Sequence, residues 1–129
     1  MVITADSGAA DSVIPKGAIK SAAIRPNEAS RRGMKFCAAN STELDIYGEQ
    51  NICCRDDKGT DLRLRMTCAD VKKPLASVMK IVKKGNRVVF DDNGSYVENK
   101  ESGARTRLRE EGGVYAFDVW MPAGLGHRK

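Results

Sequence analysis

The sequence predicts an all-β domain, a barrel or a sandwich of about seven to nine short strands with one short helix. Apolar and polar residues alternate strictly from Thr60 to Cys68, turn residues separate several other short apolar segments, and residues 75–84 have the periodicity of a helix. The chain has 129 residues, of which 41% are hydrophobic and 5% aromatic. This composition is that of one ordinary globular domain with one core.

The N-terminal part contains a short apolar strand, Val2–Ala5, which runs directly into Asp6. A second apolar patch, Val13-Ile14, follows it. The segment from residue 15 to residue 34 is interpreted as a loop with one helical turn near Glu28 to Arg32, because it carries glycines, a proline and a run of small residues.

Residues 50–69 are predicted to form a β-hairpin. Ile52 and Cys54 share one face of the first strand, and the segment Asp56-Asp57-Lys58-Gly59 supplies turn residues. On the second strand the alternation places four residues on the core side: Leu62, Leu64, Met66 and Cys68.

The predicted amphipathic helix covers residues 75–84. Val78, Ile81 and Val82 fall at helical spacing and form its apolar face, while lysines lie opposite and Gly85 is placed to end the helix.

The remaining segments are predicted to be extended. A hairpin between residues 87 and 97 turns at Asn93-Gly94, and two more strands, residues 105–109 and 114–121, are separated by Glu110-Glu111-Gly112-Gly113. Alternation on the last strand assigns three residues to the core: Tyr115, Phe117 and Val119.

Composition excludes several classes of protein. No apolar run approaches the length of a membrane span, and the N-terminal residues lack the pattern of a secretory signal, so no membrane partner is expected. The four cysteines, Cys37, Cys53, Cys54 and Cys68, lack a C-x-x-C spacing and are expected to be reduced, mostly buried thiols. We therefore expect a cytoplasmic, intracellular protein.

The single histidine, His127, lies in what we expect to be a flexible tail at residues 121–129. Catalytic pairs of the Ser-His and Cys-His types, and the common zinc sites, all require a positioned histidine. Among hydrolytic mechanisms, hydrolysis by carboxylates alone remains open. Neither a metal nor another cofactor is expected.

The most informative segment is Asp6-Ser7-Gly8-Ala9-Ala10. Asp-Ser-Gly is ordinarily a turn tripeptide, but here it directly follows an apolar strand and precedes the apolar patch at Val13. The segment resembles the active-site loop of the retropepsins, the aspartic proteases of retroviruses and retrotransposons. Further on, Leu75-Ala76-Ser77-Val78, Gly85 and Val88-Val89-Phe90-Asp91 resemble the corresponding pattern of copia-class retrotransposon polyproteins.

This resemblance covers residues 1–120 and implies an acid-protease-like barrel. It implies an aspartic endopeptidase that acts on an extended peptide, in a retrotransposon polyprotein, without a cofactor. Because only one suitable Asp loop occurs, the enzyme would be a homodimer in which Asp6 of each subunit activates water.

The resemblance also implies roles for individual residues. Ser7 would hydrogen-bond across the dimer, and Gly8 would let the backbone approach substrate. The residues implied in substrate binding are Ala9, Asp11 and the flap-tip residues Ala39, Asn40 and Ser41. The flap tip has no glycine; Asn40 can adopt a left-handed turn there, although with less freedom than a glycine.

Two alternatives remain open. One is a catalytically inactive dimerisation or binding module with the same fold. The other is nucleic-acid binding, suggested by the net charge of +5 and by a basic run comprising Lys72, Lys73, Lys80, Lys83, Lys84 and Arg87. The second is not favoured, since no aromatic residues that could stack on bases are interleaved with these lysines.

Overall fold

The computed structural model describes residues 1–38 and 40–121. The protein is all-β, as predicted, and 49% of the described residues lie in strands and 8% in two short helices. The elements in chain order are β1 (Val2–Asp6), β2 (Val13–Pro15), α1 (Glu28–Arg31), β3 (Lys35–Cys37), β4 (Glu43–Arg55), β5 (Asp61–Ala69), β6 (Leu75–Ser77), α2 (Val78–Lys83), β7 (Asn86–Val89), β8 (Ser95–Asn99), β9 (Arg105–Glu111) and β10 (Val114–Asp118).

The ten strands form one sheet in the order β3-β4-β5-β2-β6-β1-β10-β9-β8-β7. The outermost strands β3 and β7 do not pair with each other, so the sheet is not closed, and the all-β fold alone does not show the predicted acid-protease-like barrel. Strand β1 lies near the middle, antiparallel to β10 and parallel to β6.

The sheet has more strands than the seven to nine expected. The strands β2, β3 and β6 contain three residues each, which is too short for alternation to reveal them in the sequence. Strand β4 begins at Glu43, whereas the predicted hairpin starts at residue 50. The alternation did not extend the prediction further, because two buried positions of the strand are occupied by Gly48 and Gln50, which are not apolar side chains. Gln50 is buried, and its amide nitrogen donates to the carbonyl oxygens of Ile19 and Ala22, so a polar residue occupies a core position there.

The core confirms the predicted alternation. Met66 and Cys68 are buried and Leu62 and Leu64 are half-buried, while Arg63 and Arg65 are exposed. The strands β1, β2, β4, β5, β9 and β10 all contribute to the main cluster of buried side chains, whose larger members are Ile3, Ile14, Ile52, Cys54, Met66, Cys68, Leu108 and Phe117.

The helical turn near Glu28 forms as α1, whereas the helix predicted over residues 75–84 forms only at Val78–Lys83, because Leu75–Ser77 pair with β1 as strand β6. The described residues thus contain two short helices. Helix α1 begins at a capping box in which the side chain of Asn27 accepts from the backbone N–H of Ser30. Helix α2 ends before Gly85, which has φ of +93° as a C-cap glycine should. The prediction that Val82 is buried was wrong. Its side chain is 45% exposed because the six-residue helix covers the sheet only along Val78 and Ile81.

The cysteines are all free, but only Cys54 and Cys68 are buried. The expectation that most of the thiols are buried was therefore wrong for Cys37 and Cys53, since alternate residues of a strand point to opposite faces. Burial raises the pKa of Cys54 to about 11.

None of the helices in the described part of the chain is long and apolar enough to cross a membrane. The predicted tail at residues 121–129, with His127, lies outside the described residues except for Met121.

Candidate active site

Asp6 is the last residue of β1, near the middle of the sheet. The strand is anchored by Ile3, whose side chain is completely buried, and Asp6 itself is half-buried. In the parallel pairing of β1 with β6, Asp6 lies opposite Ser77. An apolar strand followed by a small-residue loop thus brings a carboxylate to the end of a central strand.

The loop after Asp6 is held by its own backbone. The N–H of Gly8 donates to Oδ1 of Asp6 at 2.8 Å, and the N–H of Ala9 approaches the carbonyl oxygen of Asp6 at 3.4 Å. Ser7 and Gly8 are exposed, so their polar groups are accessible to a partner or a substrate. A Cβ atom added at Gly8 would lie 3.4 Å from Oδ1 of Asp6, at ordinary contact distance.

Ser77 connects this loop to α2. It is fully buried, and its Oγ donates to the carbonyl oxygen of Ala9 at 2.7 Å while accepting from the N–H of Lys80 at 3.2 Å as the N-cap of α2. The N–H of Ser77 donates to Oγ of Ser12 at 2.9 Å. Two points of the chain after Asp6, Ala9 and Ser12, are therefore fixed to the same serine.

Asp11, a predicted substrate-binding residue, is engaged within the chain. Its Oδ1 accepts from the N–H of Ser12 at 2.9 Å and forms an ion pair with Lys80 at 2.7 Å. Its Oδ2 accepts from the hydroxyl group of Thr67 at 2.7 Å. These contacts join the loop before β2 to β5 and α2.

The predicted flap is the β3–β4 hairpin, in which Phe36 lies opposite Leu44. At its tip the N–H of Ala38 donates to the carbonyl oxygen of Thr42 at 2.8 Å, and the side chain of Asn40 accepts from the N–H of Thr42 at 3.0 Å. The left-handed residue among the described residues of the tip is Ser41, with φ of +69°, and not Asn40. The Asn40 side chain instead forms the turn through its oxygen.

The structure brings Asp6, Ser7, Gly8 and Ala9 together in one loop. Asn40 and Ser41 are exposed on the hairpin, and within the described residues no hydrogen bond joins them to this loop. Ala39 lies outside the described residues. The predicted site residues therefore form two groups in a single chain.

Residues 1–38 and 40–121 contain no group of three or more histidine, cysteine, aspartate or glutamate side chains that could hold a metal ion. The chemistry that the loop offers is that of the Asp6 carboxylate, which stands at the end of a central strand with backbone donors beside it.

Ser77 and Ser12 are the residues of this site to which the sequence assigned no role. The predicted helix began at residue 75 and so included Ser77, but serine is the residue type of an N-cap, and α2 begins directly after it at Val78. That signal indicates the cap but not the second bond to Ala9, which spans 68 residues of sequence.

No protein-family model, curated protein or solved structure matches this chain.

Proposed function

We propose that this chain is one subunit of a homodimeric aspartic endopeptidase of the retropepsin type, which cleaves an extended segment of a retrotransposon polyprotein. The observation that carries the proposal is the position of the Asp6 carboxylate together with its hydrogen bonding. It is half-buried at the end of a central strand, Oδ1 accepts the N–H of Gly8, and Oδ2 has no hydrogen-bond partner among the residues that the structure describes. One oxygen is thus oriented and the other is available for proton transfer.

The proposed reaction needs two copies of Asp6, one from each subunit. Two carboxylates at close range cannot both ionise, so the pair shares one proton, as in aspartic proteases generally. The ionised carboxylate takes a proton from water while the protonated one donates to the oxygen of the scissile carbonyl. The water oxygen bonds to the carbonyl carbon and gives a gem-diol. One hydroxyl group of the diol then returns a proton to the carboxylate that has become ionised, while the C–N bond breaks and the amine nitrogen accepts a proton from the other carboxyl group, which restores the shared-proton pair.

The other residues of the loop support the pairing. Ser7 and Gly8 are exposed in the single chain, and in the dimer we assign Ser7 to a hydrogen bond with the partner's loop and Gly8 to close backbone approach by substrate. Ala9 keeps the wall of the site small, and its carbonyl oxygen is held by Ser77. Asp11 is assigned to the rim of the substrate site, with its orientation fixed by Lys80.

The β3–β4 hairpin is assigned the part of a flap. Its tip is built from short, exposed polar residues, including Asn40 and Ser41, and Ala39 belongs to the same segment. A hairpin of this kind closes over an extended peptide and excludes water from the reacting groups. We propose that the open sheet folds as an acid-protease-like barrel in the dimer.

We also propose an intracellular, cytoplasmic location, which is supported by the four free cysteines. An extended polypeptide chain is the proposed substrate.

The test is turnover of a peptide library near pH 5 by the unsubstituted chain and by Asp6→Asn. Removal of an acid that takes part in both proton transfers is expected to reduce kcat/KM by about 10³-fold or more. Asp92→Asn makes the same chemical change at an exposed loop position and is expected to leave turnover unchanged. A statine-type inhibitor should block cleavage, and sedimentation should give a dimer.

Other outcomes favour the alternatives. A dimer in which neither the unsubstituted chain nor the Asp6→Asn variant cleaves peptide would support the inactive binding module. Affinity for single-stranded RNA that falls steeply with salt, without peptide cleavage, would support nucleic-acid binding.

A further inference from the structure

Strand β5 has one edge that is paired only in part. It pairs with β4 along its whole length, from Asp61 to Ala69. On its other side β2 pairs only with residues 67–69. Within the described part of the chain, residues 61–66 therefore present a free sheet edge.

The direction of the backbone groups on this edge follows from one hydrogen bond. The N–H of Thr67 donates to the carbonyl oxygen of Ser12 at 2.8 Å, away from β4. Because the backbone groups of alternate residues in a strand point to the same side, the N–H and C=O groups of Arg65 and Arg63 point to the free edge. Two successive donor and acceptor pairs are thus available to an added strand.

A cleft of about 420 Å³ opens along this edge, between β5 and α2. Its apolar side is formed by Leu64, Met66, Ala76 and Ile81. A peptide that lay against β5 would have apolar residues of the protein on one face and arginine side chains on the other, since Leu64 and Met66 alternate with Arg63 and Arg65.

The charges that line the cleft are mainly positive. Lys80 is paired with Asp11, and Arg65 is paired with Glu49. The cleft contains three further cations for which the structure describes no carboxylate partner, namely Arg63, Lys83 and Lys84. This excess of positive charge in the cleft favours a ligand with several negative charges.

We propose that this edge binds an acidic polypeptide segment in extended conformation, which adds to the sheet as a strand beside Arg63–Met66. The segment would alternate acidic residues, which face Arg63 and Arg65, with apolar residues, which pack beside the half-buried side chains of Leu64 and Ile81. Backbone hydrogen bonds to the edge provide affinity, and the alternating side chains provide selectivity.

A polypeptide fits this edge better than a nucleic acid does. The free N–H and C=O groups alternate with the spacing that a second peptide backbone satisfies. None of the described residues that line the cleft is aromatic, so the cleft offers no platform for stacked bases. The cleft shares Asp11 with the proposed substrate site of the endopeptidase, but the inference uses neither Asp6 nor a dimer and therefore stands without that proposal.

The test is equilibrium binding, by fluorescence polarisation, of a labelled decapeptide in which glutamate and valine alternate. Binding is measured on the unsubstituted chain and on Asp6→Asn, so that failure of this inference is distinguishable from failure of the proposed protease. The matched probe is the same peptide with an N-methyl group on every backbone nitrogen, which retains the charge but removes the N–H donors from both edges of the strand. We expect it to bind about tenfold more weakly or worse.

A pair of protein variants tests the charge contribution. Arg63→Glu combined with Lys84→Glu reverses two cations of the cleft and is expected to weaken binding about tenfold or more. Lys20→Glu combined with Lys100→Glu makes the same change in net charge at exposed positions that do not line the cleft, and should bind like the unsubstituted chain. Hydrogen exchange provides a third measurement, since the amides of Arg63 and Arg65 should exchange more slowly in the bound state.

Three results would overturn the inference. The first is equal affinity for the N-methylated and unmodified peptides, which would mean that charge alone drives association. The second is unchanged exchange at Arg63 and Arg65 with saturating peptide. The third is displacement of the peptide by single-stranded polyuridine at lower concentration than by unlabelled peptide, which would assign the cleft to nucleic acid.

Discussion

The hydroxyl group of Ser77 donates a 2.7 Å hydrogen bond to the carbonyl oxygen of Ala9, across 68 residues of sequence. The same oxygen caps α2 by accepting from the N–H of Lys80. A single buried side chain thus holds the loop that carries Asp6 and starts the helix that packs beside it. The position of the carboxylate depends on this serine as well as on β1.

Ser77→Ala is expected to lower the free energy of unfolding by about 1–2 kcal/mol, because it removes an N-cap and leaves the partly buried carbonyl oxygen of Ala9 without its partner. Urea denaturation measures the change. Ser21→Ala removes an exposed hydroxyl group and should stay within about 0.5 kcal/mol of the unsubstituted chain. Equal stability of Ser77→Ala and Ser21→Ala would show that the bonds of Ser77 contribute nothing.

Ser41→Gly is expected to stabilise the tip of the β3–β4 hairpin by about 0.5 kcal/mol, because relief of the left-handed strain at Ser41 exceeds the added freedom of glycine in the unfolded chain. The amide of Ala38 should then exchange about twofold more slowly. Asn40→Gly is the matched control. It should speed exchange, since the Asn40 side chain accepts from the N–H of Thr42. Slower exchange of the Ala38 amide in Asn40→Gly than in Ser41→Gly would place the left-handed residue at Asn40.

Gly48→Ala is expected to cost on the order of 3 kcal/mol or more of unfolding free energy. Gly48 has φ of +147°, and a Cβ atom there would lie 2.3 Å from the carbonyl oxygen of Arg25. Gly17→Ala separates the cost of the steric contact from the cost of the positive φ, because Gly17 also has positive φ but has open space around it. Thermal or urea unfolding should show a clearly smaller loss at Gly17, and similar losses would mean that the contact with Arg25 relaxes freely.

Glu98 is expected to make stability depend on pH in acid. Hydrogen bonds from Arg105 and Arg87 hold the pKa of Glu98 below its ordinary value of 4.5. The contribution of this group is therefore complete above about pH 4.5 and is lost as the pH falls through the lower, folded-state pKa. An endopeptidase assay at pH 5 should find this contribution intact.

Urea denaturation between pH 6 and pH 3 measures this effect. Glu98→Gln should show a shallower loss of stability below pH 4.5 than the unsubstituted chain does, because its side chain does not titrate. Glu101→Gln, at an exposed position, should follow the unsubstituted chain. Superimposable curves for all three proteins would contradict the role of Glu98.

Local patterns predicted much of the fold. The sequence predicted three of these features, because each depends on residues that are close in sequence: the alternation in β5, the turn at Asn93-Gly94 and the end of α2 at Gly85. The exposure of Val82 was not, since the face that a helix buries depends on how far the sheet extends beneath it.

The sequence predicted that Asp6 ends a strand at the candidate site, but it did not predict the residues that hold the site in place. The pairing of β1 with β6 places Asp6 opposite Ser77, and this register is set by packing between segments that are far apart in the chain. The carboxylate of Asp11 was assigned to substrate from its place near the loop. Its bonds to Thr67 and Lys80 come from β5 and α2, which no local pattern connects to it.

The opposite orientations of Cys53 and Cys54 on β4 allow site-selective labelling. At neutral pH the enclosed thiol of Cys54, with a pKa of about 11, stays protonated and unreactive, and Cys68 is buried as well. A maleimide dye should therefore attach at Cys37, on one arm of the hairpin, and at Cys53, near the far end of the other. Energy transfer between dyes at these two native positions would report bending of the hairpin without any engineered cysteine.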